Sequence, residues 1–294
     1  MNDVAVVGCG PAGISAALQL VRSAFQPTVY EAGTPGGLLR SADHVENFPG
    51  FPAGIPGVEL AERFIEQLTR WGVKPRRERV AELTPAAGGF NLRTARGAET
   101  YRRMILATGT RPRRWPLTVP GEAEARVHDE IIPLLELRGA RIAVVGAGDA
   151  AFDYALNLAR RNAVVILNRA ERPRCLPLLH QRAADHQSID YRSSTRVTAV
   201  EPGASGGVKL RCAEPAGSVE LTVDYILTAI GRTPRRELFT PELRRDDGRP
   251  IPGLRLVGDA VNGSLRQTAV ACGDGLRAAV DVARELRGEL EEPR

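Results

Sequence analysis

Short, wholly apolar runs alternate along this chain with stretches in which apolar residues recur every three or four positions. Residues 4–7 (VAVV) form the first such run and read as a strand covered on both faces. A glycine-rich turn follows, then ISAALQLVRS with helical spacing, then PTVYE. The pattern predicts strand, turn, helix, strand. The same succession returns over residues 142–145, a second glycine-rich turn, FDYALNLAR and residues 164–167. Two further apolar runs, RMILATG and YILTAIGRTP, carry Gly109 and Gly231 where the backbone must turn. LRLVGDA then sets Asp259 at a strand end, ahead of a helical pattern over about 269–286. This repetition predicts an α/β chain of two doubly wound, Rossmann-like dinucleotide-binding domains, the second inserted into the first. The first would comprise residues 1–112 and 240–294, the second residues 113–239.

The first turn reads Gly8-Cys9-Gly10-Pro11-Ala12-Gly13. Its glycines have separate tasks. Gly8 makes the tight turn, Gly10 admits a pyrophosphate close to the backbone, and Gly13 lets helix and strand pack, with the helix N-terminus facing the anion. Glu31, at the end of the next strand, is placed to accept hydrogen bonds from an adenosine ribose. The second turn reads Gly146-Ala147-Gly148-Asp149-Ala150-Ala151, with Ala151 as the small third residue. Glu31 stands eighteen positions after Gly13, and the same step from Ala151 lands on Arg169. An acid suits a free 2′-hydroxyl, whereas an arginine suits a 2′-phosphate. The first site therefore reads as FAD and the second as NADPH, with Arg172 and Arg174 either adding to the phosphate clamp or lying on a solvated loop. Asp259 reads as a partner for a polyol hydroxyl such as flavin ribityl, or as a helix cap.

Composition narrows the rest. The 294 residues are 43% hydrophobic and 26% charged, ordinary for a globular chain of two domains. No apolar run nears the roughly 20 residues of a membrane helix, and no basic and apolar leader precedes residue 4, so the expectation is a cytoplasmic protein away from membranes. The net charge of +5 is carried almost wholly by arginine, since Lys74 and Lys209 are the only lysines. Such a surface suits an acidic partner, but no basic run is interleaved with stacking aromatics, which argues against nucleic acid. Cys9, Cys175, Cys212 and Cys272 are too scattered for a Cys-x-x-Cys redox or metal motif. No metal is expected, and reduced thiols are, with Cys9 beside Cys272 the one spatial pairing left open.

GCGPAGISAA, GGLLRSADHVENFPGFPAGIPGVEL, ILATGTRPR, VVGAGDAAFDYAL, AIGRTP and LVGDA with RQTAVACGDG stand in the order found in the low-molecular-weight thioredoxin-reductase-like flavoproteins. The chain resembles that family over nearly its whole length. The resemblance implies FAD in the first domain, NADPH in the second, and a homodimer. It implies FAD contacts at Gly8, Gly10, Pro11, Ala12, Gly13, Glu31, Gly37, Leu38, Asn47, Ala107, Thr108, Gly109, Gly258, Asp259, Gln267 and Thr268. Among these, Asn47 would lie beside the isoalloxazine, Asp259 on the ribityl chain, and Gln267 and Thr268 would offer backbone near the ring. On the NADPH side it implies Gly146, Gly148, Asp149, Ala150, Arg169, Arg174 and Gly231. Asn168 and Ala170 replace the family's usual histidine and middle arginine, which leaves NADH as the alternative nucleotide. Leu38 stands where the family commonly has a glutamine near the flavin.

In thioredoxin reductases a Cys-x-x-Cys followed by an acid lies a short way ahead of the second fingerprint. Counting back from Gly146 puts Asp129-Glu130-Ile131-Ile132 there, with Pro133 in place of the acid. Dithiol chemistry needs one thiolate to exchange with a disulfide and another to contact the flavin. Asp129 and Ile132 do neither. The expectation is an FAD oxidoreductase that takes hydride from NADPH and passes electrons from the flavin directly to an external acceptor, a ferredoxin or flavodoxin. HDEIIPLLELRG with GAGDAAFDYAL resembles the branch of the broader family that does so, although RELRGELEEPR lacks the aromatic residue those reductases carry over the flavin. One alternative is an oxidase or reductase of a small molecule such as a quinone, disulfide or pathway intermediate. There His44 or His128 would supply a proton, and Cys272 or Cys9 a single redox thiol, the latter with a pKa lowered by the helix N-terminus. Another is a non-catalytic flavin- or nucleotide-binding protein. Without a dithiol, the second domain is also expected to swing less than in dithiol-bearing relatives.

Overall fold

The computed structural model describes residues 1–203 and 206–289. In chain order the first stretch holds β1 (Asn2–Val7), α1 (Pro11–Arg22), β2 (Thr28–Tyr30), β3 (His44–Val45), β4 (Ile55–Pro56), α2 (Gly57–Arg70), β5 (Val80–Ala86), β6 (Gly89–Thr94), β7 (Gly97–Leu106) and β8 (Thr110–Pro112). The insertion holds α3 (Gly121–Glu124), β9 (Val127–His128), β10 (Arg141–Val145), α4 (Asp149–Ala159), β11 (Ala163–Leu167), α5 (Pro177–Ala184) and β12 (Ile189–Arg192). It continues through β13 (Arg196–Pro202), β14 (Val208–Glu214), β15 (Gly217–Val223), β16 (Tyr225–Thr228) and β17 (Arg232–Pro234). The chain returns through β18 (Leu254–Leu256) and α6 (Thr268–Leu286).

Two compact units result, one built from residues 1–40, 45–111 and 234 onward, the other from residues 41–44 and 112–233. The second junction falls at Pro234 rather than at 240. Its cause is long-range packing: Arg235 N–H donates to Gly109 O at 2.9 Å, Arg236 Nε to Ala260 O at 2.8 Å, and Phe239 and Leu243 are buried in the first unit's core. Residues 41–44, expected in the first domain, group with the second. Asp43 there donates its N–H to Asp153 Oδ2 at 3.0 Å and pairs its carboxylate with Arg160 at 2.8 Å.

In the first unit β2, β1 and β7 run parallel, β18 joins β7 in parallel, and β7 continues into an antiparallel meander with β6 and β5. Side chains alternate across a strand, so both faces of β1 must be covered. Val4 and Val6 enter a core with Ile14, Leu20 and Val282 of α1 and α6, while Ala5 and Val7 enter another with Tyr101, Met104 and Leu254. α1 and α6 approach so closely that a Cβ on Gly275 would lie 2.0 Å from Ala12 O. The Glu285 carboxylate, 3% exposed, sits between Arg103 and Arg255 and ties α6 to β7 and β18.

In the second unit β12, β11, β10, β16 and β9 form a wholly parallel sheet. Ile142 and Val144 pack on Phe152, Ala155 and Leu158 of α4, and Ala143 and Val145 face the antiparallel sheet β13-β14-β15. Among the described residues no helix is long and apolar enough to cross a membrane.

Candidate functional site

Each unit places its fingerprint where parallel strands end. In the first, Gly8 has φ +107° and a Cβ there would lie 2.2 Å from Ala107 O, while a Cβ on Gly13 would lie 1.9 Å from Gly8 O. Only glycine fits at either position. Gly10 is different. Its backbone is extended, any residue adopts it, and a Cβ there meets nothing within 4 Å. The protein's own packing does not require a glycine at Gly10. The space it leaves faces the N-terminus of α1, which has no side-chain cap, and that combination suits a pyrophosphate. Gly37, on the 3₁₀ turn Gly37–Ser41 that also carries Leu38, packs against the Gly10 Cα, and Gly258 brings the end of β18 against Ala12. Gly8, Gly10, Ala12, Gly13, Gly37, Ala107 and Gly258 are therefore brought together at the ends of β1, β7 and β18.

Glu31 accepts hydrogen bonds from Cys9 N–H and Gly33 N–H, both at 2.7 Å. Its oxygens keep further lone pairs for a ribose hydroxyl. Asn47 Nδ2 donates to Gln267 Oε1 at 2.8 Å, which joins two expected flavin contacts 220 positions apart. Gln267 also precedes Thr268, the first residue of α6, so Asp259 is not that helix's cap. Asp259 instead lies half-buried on the 3₁₀ turn Gly258–Ala260. Thr108 donates to Arg235 O at 2.5 Å, and Gly109 turns at φ +63°. One organising residue escaped the sequence reading. Asp274 accepts the Gly258 N–H at 3.3 Å and the Asn262 amide, fixing the turn that carries Asp259. In sequence it is only an acid inside a helix.

In the second unit Gly146 has φ +133° and a Cβ there would lie 2.3 Å from Ala229 O, while Gly148 is extended and open, as Gly10 is. Ala150 is exposed at the start of α4. Asp149 Oδ1 accepts the Leu176 N–H at 2.8 Å, and Arg174 N–H donates to Ala147 O at 2.8 Å, so the loop after β11 is tied to the glycine turn. Arg169, Arg172 and Arg174 are exposed and make no side-chain hydrogen bond or ion pair among the described residues. Three uncommitted guanidinium groups beside one fingerprint fit a nucleotide 2′-phosphate. Gly231, at φ +106°, lies against the Arg113 guanidinium.

The segment ahead of this fingerprint has its own anchoring. Ile131 is fully buried, Ile132 is 54% exposed at the start of a 3₁₀ turn, and Glu130 pairs with Arg232 at 2.9 Å. All four cysteines are free. Burial pushes the thiols of Cys272 and Cys212 up to about 11, and that of Cys9, which also faces the Glu31 carboxylate, up to about 12. Burial also raises the Cys175 thiol. The expected lowering of Cys9 by the helix N-terminus is thus overturned: its side chain is enclosed in the core, where desolvation dominates. Cys272 is half-buried with Sγ 3.8 Å from Pro11 O, and neither thiol suits a redox role at neutral pH. At pH 8 a rise from 9 to 11 cuts the thiolate fraction roughly a hundredfold, and the greater nucleophilicity of a more basic thiolate restores about tenfold of that. Cys272 should accordingly react with iodoacetamide about tenfold more slowly than an exposed cysteine. Quantitative mass spectrometry measures this, and labelling at the exposed rate would contradict it.

His128 belongs to a strand. It lies half-buried on β9 with its ring 6.0 Å from that of Tyr225, and burial, outweighing the pull of Asp129, lowers its pKa. The shift favours the neutral imidazole, which argues against a cationic proton donor at this position. His44 is exposed within residues 41–44. Among the described residues no group of three or more His, Cys, Asp or Glu could hold a metal ion.

Asp153 of α4, another residue the sequence left unmarked, is pushed up to about 6 by burial. A carboxyl whose folded pKa exceeds its unfolded value costs stability as pH rises from about 4 through 6. Asp153→Asn keeps an oxygen for the Asp43 N–H, and should stabilise the protein by on the order of 1–3 kcal/mol at pH 7.5 with no gain at pH 4. Urea unfolding at the two pH values checks this; equal effects at both would refute it.

Residues 2–275 match the family described as pyridine nucleotide-disulphide oxidoreductase. The chain is 33% identical over 305 residues to the bifunctional thioredoxin reductase/thioredoxin of Mycobacterium leprae (strain TN), covering 97% of this chain and 66% of that protein's length. It is 33% identical over 306 residues to the thioredoxin reductase of Mycolicibacterium smegmatis, covering 97% of each. The crystal structure of Lactococcus lactis thioredoxin reductase is similar with a TM-score of 0.89 at 27% identity, over 99% of this chain and 100% of that one. The expected α/β fold with two Rossmann-like domains is thereby borne out. With its two fingerprints and this match, the chain belongs to the pyridine nucleotide-disulphide oxidoreductase family, which uses FAD and NADPH and whose thioredoxin reductases are NADPH-dependent FAD oxidoreductases.

Proposed function

We propose that the chain takes reducing equivalents from NADPH and passes them from FAD to an external carrier, a ferredoxin or flavodoxin, without an internal dithiol. The observation that carries this reading is the segment ahead of the second fingerprint. There, by the count back from Gly146, Asp129 and Ile132 take the two thiol positions of the Cys-x-x-Cys, and between them Glu130 is held by Arg232 and Ile131 lies in the core. FAD, when bound, supplies hydride acceptance and the release of electrons one at a time. The protein's part is binding and orientation. Gly8, Gly10 and Gly13 with Pro11 and Ala12 would hold the flavin pyrophosphate, Glu31 the ribose, Asp259 the ribityl chain, and Asn47 with Gln267 the ring. Gly146, Gly148, Arg169 and Arg174 would hold NADPH. The net charge of +5, nearly all arginine, suits an acidic carrier. We place the protein in the cytoplasm and, as its family resemblance implies, in a homodimer.

Mixed anaerobically with NADPH, the yellow holoprotein should bleach and regain colour on addition of ferredoxin or flavodoxin. Failure to bleach would leave only the non-catalytic binding role. Reoxidation by quinones, low-molecular-weight disulfides or oxygen alone would assign the chain to the small-molecule class instead.

A further inference from the structure

Resting on the NADPH reading above, we infer that Asn168 is the positioning residue of the phosphate-binding turn and that Tyr191 holds it in place. Asn168 directly follows β11 and is buried, unlike Arg169 and Ala170 beside it. Both ends of its carboxamide are engaged within the protein. Oδ1 accepts the Ala170 N–H at 3.0 Å, an Asx turn closed around Arg169, and Nδ2 donates to the Tyr191 hydroxyl at 2.9 Å. The backbone is clamped on the same side: Asn168 N–H donates to Arg192 O at 2.9 Å, Thr195 N–H to Asn168 O at 2.8 Å, and Ser194 N–H to Ala170 O at 2.9 Å. Residues 168 and 170 are therefore both fixed to the segment that follows β12, and Arg169 between them is left exposed and unengaged. Tyr191 is itself fixed, its ring 5.6 Å from Phe152 of α4 and 5.4 Å from His180 of α5.

The chemistry gives Asn168 a second consequence. Gly146 N–H donates to Leu167 O as Gly8 N–H does to Tyr30 O, so Asn168, and not Arg169 as the count from Ala151 implies, stands where Glu31 stands and where an acid would receive a free ribose 2′-hydroxyl. A neutral carboxamide lacks the charge, and its oxygen is turned to the Ala170 N–H within its own loop, so discrimination rests on Arg169 and on the turn that aims it. Asn168 then acts on the 2′-phosphate through Arg169, without touching it.

Binding of adenosine 2′,5′-bisphosphate and of AMP to the FAD-loaded protein, measured by calorimetry, separates this role from a merely structural one. Wild type should prefer the bisphosphate, and equal affinities would dismiss the NADPH reading and this inference with it. In Asn168→Ala the preference should fall about tenfold while AMP affinity stays within about twofold, since the turn's hydrogen bonds are lost and the adenosine site is not. In an Arg169→Ala background the same change should have no further effect on the preference. Tyr191→Phe, which keeps the ring packing and removes only the hydroxyl, should shift the preference in the same direction by less and carries the test should Asn168→Ala fail to fold. An unchanged preference in a folded Asn168→Ala or, failing that, Tyr191→Phe protein would overturn the inference, as would an equal loss of both ligands.

Discussion

Gly10→Ala will fold as well as the parent protein and lose its flavin. The extended backbone at Gly10 accepts any residue, and its new methyl group touches no protein atom within 4 Å, so stability should change by less than about 0.5 kcal/mol. The same methyl occupies the space over the N-terminus of α1, and FAD affinity should drop by about 10- to 100-fold. Gly13→Ala makes the contrast. Its Cβ would lie 1.9 Å from Gly8 O, backbone that cannot yield cheaply, so it should destabilise the protein by about 1–3 kcal/mol or more as well as release flavin. Flavin retained after gel filtration, read beside urea midpoints, checks both. A Gly10→Ala protein that keeps its flavin would show that the cradle lies elsewhere.

Arg169→Ala should weaken NADPH binding by about 10- to 100-fold and leave NADH binding nearly unchanged, because in the proposed site the guanidinium would make charge-assisted hydrogen bonds only to the 2′-phosphate. A nucleotide phosphate takes up its second proton near pH 6, so the parent protein's preference for NADPH should shrink below that pH. Arg172→Ala and Arg174→Ala should show smaller losses of the same selective kind. Dissociation constants for both nucleotides at pH 5.5 and 7.5 settle the matter; an Arg169→Ala protein that loses NADH and NADPH equally would remove Arg169 from the phosphate site.

Much of this was legible in the sequence because the constraints are local. Gly8, Gly13 and Gly146 are glycines for steric reasons that act within one turn and its neighbouring strand. The eighteen-position count that set Arg169 level with Glu31 is one residue out, because Gly8 N–H donates to Tyr30 O and Gly146 N–H to Leu167 O, which makes Asn168 the counterpart of Glu31. What escaped depends on side-chain direction and distant partners. Cys9 stands near a helix N-terminus in sequence, but its burial and the Glu31 carboxylate decide its chemistry. The junction at Pro234 follows from Phe239 and Leu243 finding a core built largely by residues before 112. Asn47 meets Gln267, and Asp274 meets Gly258, through pairings no local pattern encodes. Asn168 reads in sequence only as a replacement for a ligand; its bonds to Ala170 and Tyr191, a turn partner and a residue of the next strand, are what tie it into the loop.

We propose that electrons leave the flavin with no thiol pair between it and the acceptor. The raised thiols of Cys9, Cys212 and Cys272 and the Glu130–Arg232 pair all point the same way. Anaerobic dithionite titration of the holoprotein tests this directly, since a flavin alone stores one electron pair and a flavin with an exchanging disulfide stores two. Complete bleaching at one electron pair per flavin is the predicted result, and bleaching that requires two pairs would contradict it.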